Sequence, residues 1–449
     1  MSFEEAIALR KAGKYQRALQ LLERLWAALD SNQYTERIVC LNEQSECLWR
    51  LGQLSKAEDR AREALQLASQ SPHDLQGKGK AHNNLGMVKI YLGDLQQAEK
   101  NLKLSLSIFE RLADRTNVGR ALNNLGIVYS TLGELDRAGT VWEEALQLHD
   151  QPQEVAKCLN NLGELERMRG LLDRAEDFYQ RSLAIFEQLN NMQHVALVIH
   201  NLGLVYWQQG KLDRAEQFFR EVLYMTEKTN NPLELADIRF ELARVLLSRG
   251  ALKEAAEQIE QIKHLTKIVE VPDVTVRCHL ATGWFHFKQS KLGDALADAS
   301  AAKEQAAAVP LFDLQIDATY LLIQILLEQY TLTKSPEQRA QIYDLLKELN
   351  LVSRFQHLHQ TFVESTLVQG LLRRAVFDFE GAEEQFQMAE LLAEERGITP
   401  VAERARLEIS FLREHKSRYE KLVFERQDEY EEEQLQRVKL YLKQAKHFV

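Results

Sequence analysis

Four stretches of this chain are near-copies of one another: NNLGMVKIYLGDLQQAE (83–99), NNLGIVYSTLGELDRAG (123–139), NNLGELERMRGLLDRAE (160–176) and HNLGLVYWQQGKLDRAE (200–216). Such repetition constrains folding more than any other feature, because a unit of this length is one supersecondary element that buries its apolar face only by stacking on the next copy. The second glycine of each copy is a marker, and Gly93, Gly133, Gly170, Gly210 and Gly250 follow one another at intervals of 40, 37, 40 and 40 residues. The register extends upstream to Gly52 in RLGQLSKAE and Gly13 in KAGKYQRAL, and downstream to Ser290 in QSKLGDALA and Phe377 in VFDFEGAEEQF. One degraded copy fits between the last two, with its turn near Lys334, Ser335 and Pro336, which makes about ten units.

Each unit reads as two antiparallel helices joined by a tight turn. The second glycine ends the first helix as the residue just beyond its C-cap, and the following Leu-Asp-Arg-Ala begins the second helix. Ala138, Ala175 and Ala215 are small enough there for close helix crossing. The first glycine (Gly86, Gly126, Gly163, Gly203) stands mid-helix, where it costs up to about 1 kcal/mol against alanine, so it predicts a close helix approach. Apolar residues then recur at helical spacing, as in Trp142, Ala145, Leu146 and Leu148, or Phe218, Phe219, Val222 and Leu223. Those aromatics are read as core. With only seven prolines and abundant Ala, Leu, Glu, Gln, Lys and Arg, the composition favours helix throughout and predicts no strands.

The L-G-x-x-Y … G-x-L-x-x-A pattern resembles the tetratricopeptide repeat. The period near 40 and connections such as ADRTNVGRALNNLG are most similar to its long-repeat subset, which includes the kinesin light chains and the Pins/LGN adaptors. The resemblance implies an all-α fold, a right-handed superhelical solenoid of about ten hairpins, followed here by a long C-terminal helix. Lys89 and Glu166, where Tyr129 and Tyr206 stand in other copies, and Ser290 in place of glycine, depart from the pattern.

Stacked hairpins leave their first helices lining a concave groove, which is the default binding surface. Two residues before the first glycine of each clear copy stands Asn84, Asn124, Asn161 or Asn201. Asparagine is a mediocre mid-helix residue, so its recurrence asks for a hydrogen-bonding role. In the families this chain resembles, that amide grips the backbone of an extended peptide; the alternative is that it bonds a neighbouring helix. The row is expected to end on both sides, at Glu241 in the next repeat and in the second repeat, where Ser45 stands at the first-glycine position. Lys80, Arg120 and Lys157, four residues earlier on the same face, suit an acidic segment. Further groove candidates are Asn83, Asn123, Asn160, His200, Tyr91, Arg167 and Trp207, the tryptophan being either an anchor for a ligand or core.

Other function classes find little support. The net charge of −10 opposes attraction to nucleic acid, and no 18-residue apolar run or basic leader suggests a membrane or secretory role, so a cytoplasmic protein is expected. Cys40, Cys47, Cys158 and Cys278 are too scattered for a disulfide framework or zinc site and read as buried hydrophobes. The histidines form no HExxH, and His357 and His359 diverge on a helix. No phosphate-cradling loop or nucleophile elbow occurs, so neither catalysis nor a metal or other cofactor is expected.

The expected layout is repeats over 1–300, clearest at 40–260, a degenerate stretch over 301–365, a last hairpin at 366–398 and terminal helices over 399–449. The terminal part is read as one helix at 401–415 and another at 417–447, serving as a cap, as a homodimer contact or as an occupant of the groove. The leading expectation is a non-catalytic adaptor that holds an extended or helical segment of a partner protein. The alternative is a peptide-responsive regulator that switches by superhelix compaction.

Overall fold

The computed structural model describes residues 2–70, 74–229, 231–269, 271–307, 312–355, 359–376 and 378–425. Among these residues there are no strands and 21 helices. The first ten are α1 (Phe3–Lys11), α2 (Tyr15–Ala28), α3 (Tyr34–Arg50), α4 (Leu54–Gln70), α5 (Leu75–Tyr91), α6 (Leu95–Arg111), α7 (Arg115–Thr131), α8 (Leu135–Leu148), α9 (Pro152–Met168) and α10 (Leu172–Gln188). There follow α11 (Met192–Gln208), α12 (Leu212–Thr229), α13 (Pro232–Ser248), α14 (Leu252–Ile268), α15 (Pro272–Lys288), α16 (Leu292–Ala306), α17 (Phe312–Thr333), α18 (Pro336–Phe355), α19 (His359–Ala375), α20 (Phe379–Arg396) and α21 (Thr399–Glu425). Odd and even helices pair as ten hairpins, and α21 packs on the last.

The turns carry the repeat. Gly13, Gly52, Gly93, Gly133, Gly170, Gly210 and Gly250 all have φ between +72° and +77°, the left-handed region in which a side chain is strained. Ser290 (φ 59°) and Lys334 (φ 57°) hold the same place in the units without glycine. Phe377 lies outside the described residues. The mid-helix glycines mark close approach, as expected. At Gly126 a Cβ would come within 2.2 Å of the Trp142 indole nitrogen. That indole N–H donates to the Asn123 carbonyl at 2.9 Å. Ala138, Ala175 and Ala215 are fully buried, as are Trp142 and Phe219 to within 2%.

Where the sequence departs from pattern, polar contacts substitute for one another. Tyr129 and Tyr206 donate to Glu99 at 3.3 Å and Glu176 at 2.9 Å on the helix before. Lys89 instead pairs with Glu58 at 2.9 Å. Glu166, 2% exposed, is held by Arg169 at 3.1 Å and Arg174 at 3.0 Å. Cys40, Cys47 and Cys158 are buried, but Cys278 is only half-buried.

Two boundaries differ from expectation. Residue 365 falls inside α19, which begins at His359, and α21 runs unbroken through 416 because nothing between 399 and 425 terminates a helix. The proposed terminal helix beyond 425, Phe377 and His357 lie outside the described residues. No described helix is long and apolar enough to cross a membrane.

Odd helices touch the odd helices of adjacent hairpins from α1 to α11 and again from α13 to α21, whereas even helices make no comparable contacts among themselves. The odd helices therefore form the inner wall. The solenoid also curls until distant hairpins meet: the Gly13 turn approaches Gln193 at the start of α11, and Arg396 at the end of α20 reaches Arg169 at the end of α9.

Candidate functional site

The inner wall presents the predicted asparagines, and the structure shows what they bond. The Nδ2 group of Asn124 donates to Asn83 Oδ1 at 2.9 Å, that of Asn161 to Asn123 Oδ1 at 2.9 Å, and that of Asn201 to Asn160 Oδ1 at 3.0 Å. Each bond joins one inner helix to the one before. The adjacent asparagines of the NN pair thus have different tasks: the first accepts from the next repeat, and the second donates to the previous one.

This arrangement leaves complementary groups over. Among the described residues the Oδ1 atoms of Asn124, Asn161 and Asn201 accept no hydrogen bond and are not sealed from solvent, so each remains an open acceptor there. The amide nitrogens of Asn83, Asn123 and Asn160 remain donors on the same half-buried wall. An amide offers two N–H donors and an acceptor oxygen, so using one donor internally fixes its orientation without exhausting it.

Asn84 differs. It is 5% exposed, and its Nδ2 donates to the Asn42 backbone carbonyl at 2.9 Å, so it belongs to the packing between α3 and α5 rather than to the open wall. At the equivalent position one repeat earlier stands Glu43, which the sequence reading missed. Counting nine residues back from Gly52, as from Gly93 to Asn84, would have found it. The asparagine row is thus flanked by Glu43 and Glu241.

The predicted basic strip is largely compensated. Lys80 lies 4.0 Å from Glu43, while Arg120 and Lys157 share Glu154 at 3.5 and 3.3 Å. Burial pulls the Lys157 pKa down; Glu154 opposes that, but Arg50 and Arg120 add to the depression. Arg167 forms a two-pronged bridge to Glu164 at 2.9 and 2.6 Å, and the Tyr179 hydroxyl donates to the same carboxylate at 2.8 Å. Burial disfavours charge on Glu164, yet Arg167 outweighs it and holds the carboxyl below the usual range.

Trp207 is not a free anchor. It packs partly buried against the core, and the Arg244 guanidinium covers its ring at 4.2 Å. Arg244 also reaches Glu241 at 3.3 Å and Asp317 at 3.2 Å. His200 is half-buried beside Phe219, and Tyr91 is 56% exposed against Trp49. From α13 onward the wall is ionic: Arg277 bridges Asp237 at 2.6 Å and Asp273 at 2.7 Å. Burial raises the pKa values of Asp317 and Glu364.

Comparison with known proteins agrees with this architecture. Residues 78–151, 154–228 and 194–262 match the tetratricopeptide repeat family. No curated protein matches the chain. Among solved structures, NprR in complex with its cognate peptide NprX is 14% identical, with a TM-score of 0.53, over 78% of this chain and 98% of that one. The apo form of the quorum sensor NprR from B. thuringiensis is 13% identical, with a TM-score of 0.52, over 68% and 85%. A Rap protein complexed with Competence and Sporulation Factor is 14% identical, with a TM-score of 0.50, over 83% and 98%. At these identities the likeness is one of fold. Repeat period, left-handed turn residues and family match converge: the chain is an all-α solenoid of helical hairpins whose residues within 78–262 match the tetratricopeptide repeat family.

Proposed function

We propose that this protein is a non-catalytic interaction scaffold that holds an extended peptide segment of a partner along the inner wall beside Asn83, Asn123, Asn124, Asn160, Asn161 and Asn201. The observation that carries the reading is the alternation of open acceptors on Asn124, Asn161 and Asn201 with open donors on Asn83, Asn123 and Asn160. An extended backbone presents N–H and C=O groups in alternation, and such groups need partners when they leave water. A solved neighbour of the same fold is recorded with a peptide, NprR with its cognate peptide NprX, which supports a peptide as the ligand class.

Ligand charge follows from the ion pairs. An acidic side chain entering near Lys157 and Arg120 must compete with Glu154, so acidity alone is a weaker selector than the strip suggests. We therefore assign affinity to backbone recognition and a secondary preference for acid to Lys80, Arg120 and Lys157. The regulator reading gains from the curled solenoid, whose distant hairpins touch and could part.

The test is selection of displayed random peptides on the immobilised protein, followed by binding to the double variant Asn161→Ala/Asn201→Ala. Binding reduced at least tenfold, with the helical circular dichroism unchanged, is the expected result. Selected peptides that bind the double variant as tightly as the parent would sink the proposal.

A further inference from the structure

The seam between distant hairpins has an unusual construction. Gly170 and Gly210, the turns of the fifth and sixth hairpins, face the corner between α20 and α21. A Cβ on Gly170 would lie 3.3 Å from the Arg396 Cβ, and one on Gly210 would lie 2.8 Å from Pro400 Cγ. The equivalent glycines Gly52, Gly93 and Gly250 have the same backbone conformation but meet nothing within 4 Å. Gly13 meets only Gln193, at 3.8 Å, so among these turns the tight approaches are the two at the seam.

Among the described residues one polar bond spans it. The Arg396 Nη1 donates to the Arg169 backbone carbonyl at 3.0 Å, across 227 residues of sequence. Arg169 is the C-cap of α9, where the last carbonyls lack helical partners and the helix dipole favours a cation. A guanidinium there satisfies an orphan acceptor and places positive charge at a negative helix end. Beyond Pro400, Arg404 on the next turn of α21 acts electrostatically on Glu364 and Lys288 of the inner wall. Leu172, Tyr206, Ile398 and Val401 all belong to one apolar cluster, so the corner and the middle repeats share a core.

We propose that the α20–α21 corner is a latch that holds the superhelix closed on the turns of its fifth and sixth hairpins, with Arg396 as the bond that opens and shuts it. With the latch shut, access to the inner wall is by the ends of the superhelix, which favours a segment with a free terminus. Opening separates the seam without disturbing any hairpin, since the contacts broken are not those between neighbours. The proposal stands apart from the identity of any ligand.

The test needs none. A Gly210 Cβ would lie 4.0 Å from the Pro400 Cβ, within the range a disulfide spans, so Gly210→Cys/Pro400→Cys reports closure by mild oxidation and peptide mapping. The pair is expected to cross-link readily in the full chain. Adding Arg396→Ala should slow cross-linking at least fivefold. Adding Arg406→Ala, whose partners Glu390 and Glu394 lie within the same hairpin pair, should change it less than twofold. A pair that fails to cross-link, or that responds equally to both substitutions or to neither, overturns the latch. Independently of the cysteines, Gly210→Asn should enlarge the radius of gyration in solution scattering while Gly250→Asn does not, because both tolerate the left-handed backbone and only the first meets Pro400. Equal radii for the two would likewise overturn it.

Discussion

The inner wall is built in two ways. From α5 to α11 it is joined chiefly by neutral amides, each bonding the helix before, with the Arg120–Glu154 pair beside them; from α13 to α17 it is joined by ion pairs centred on Arg244 and Arg277. The inner-wall contacts that run from α1 to α11 and from α13 to α21 are slight or missing between α11 and α13, where Glu241 replaces the asparagine. The difference teaches that one backbone repeat can carry two kinds of wall. An amide keeps an open group after bonding its neighbour, so the first wall can bind by backbone hydrogen bonds. A paired guanidinium and carboxylate satisfy each other, so the second wall serves chiefly to hold helices together.

That contrast can be broken by mutation. Arg244→Met strands Glu241 and Asp317, which are only 10% and 24% exposed at the side chain, and uncovers Trp207. Loss of one partner of such a pair should cost about 2–4 kcal/mol, read as a lower midpoint in denaturant unfolding. A loss below about 0.5 kcal/mol would show that the ionic wall does not hold its helices through Arg244.

Acid should pull the two walls in opposite directions. Burial, with Lys157 and Arg50 adding to it, lowers the His194 pKa to about 4. An unfolded histidine titrates near 6.5, so the unfolded chain binds more protons between these values and the stability contributed by neutral His194 is lost as pH falls from about 6.5 to about 4. Asp317 and Glu364 have folded pKa values raised by burial, so protonation relieves them and their wall gains relative stability as pH falls through those raised values. Hydrogen exchange corrected for intrinsic rates should show α11 losing protection before α17 and α19 on acidification, with an effect of about 2 kcal/mol or less given partial solvent access. The reverse order would refute the contrast.

The smallest effect is expected at the amides. Asn161→Ala removes one inter-repeat bond and should cost about 1 kcal/mol by the same unfolding measurement, leaving the helix content unchanged. A cost above 3 kcal/mol would assign the row to stability and take away its freedom to serve a ligand.

Much of the fold was legible because its determinants are local. The interval from Gly93 to Gly250 marks the turns, and the residues just after them start the second helices; even Ser290 could be placed by register, since a turn depends on a few successive dihedrals. The site was legible only as a face. That Asn124, Asn161 and Asn201 share a stripe follows from helical period, but their partners lie on the preceding repeat and depend on helix separation. Register alone places Lys157 on the basic strip but does not say that Glu154, one turn away, pairs with it, and Trp207 reads as a possible anchor because the Arg244 that covers it sits on another helix.

The sequence by itself determined the hairpin, its repetition and the inward stripe, all consequences of short-range sterics and helical periodicity. Only the tertiary structure decided which amide groups remain open, which bases are neutralised, and that Arg396 meets Arg169 across 227 residues. The physical reason is accumulation: each hairpin adds a small rotation to the next, and where the ends of the curve meet depends on the sum of all of them, which no single repeat encodes.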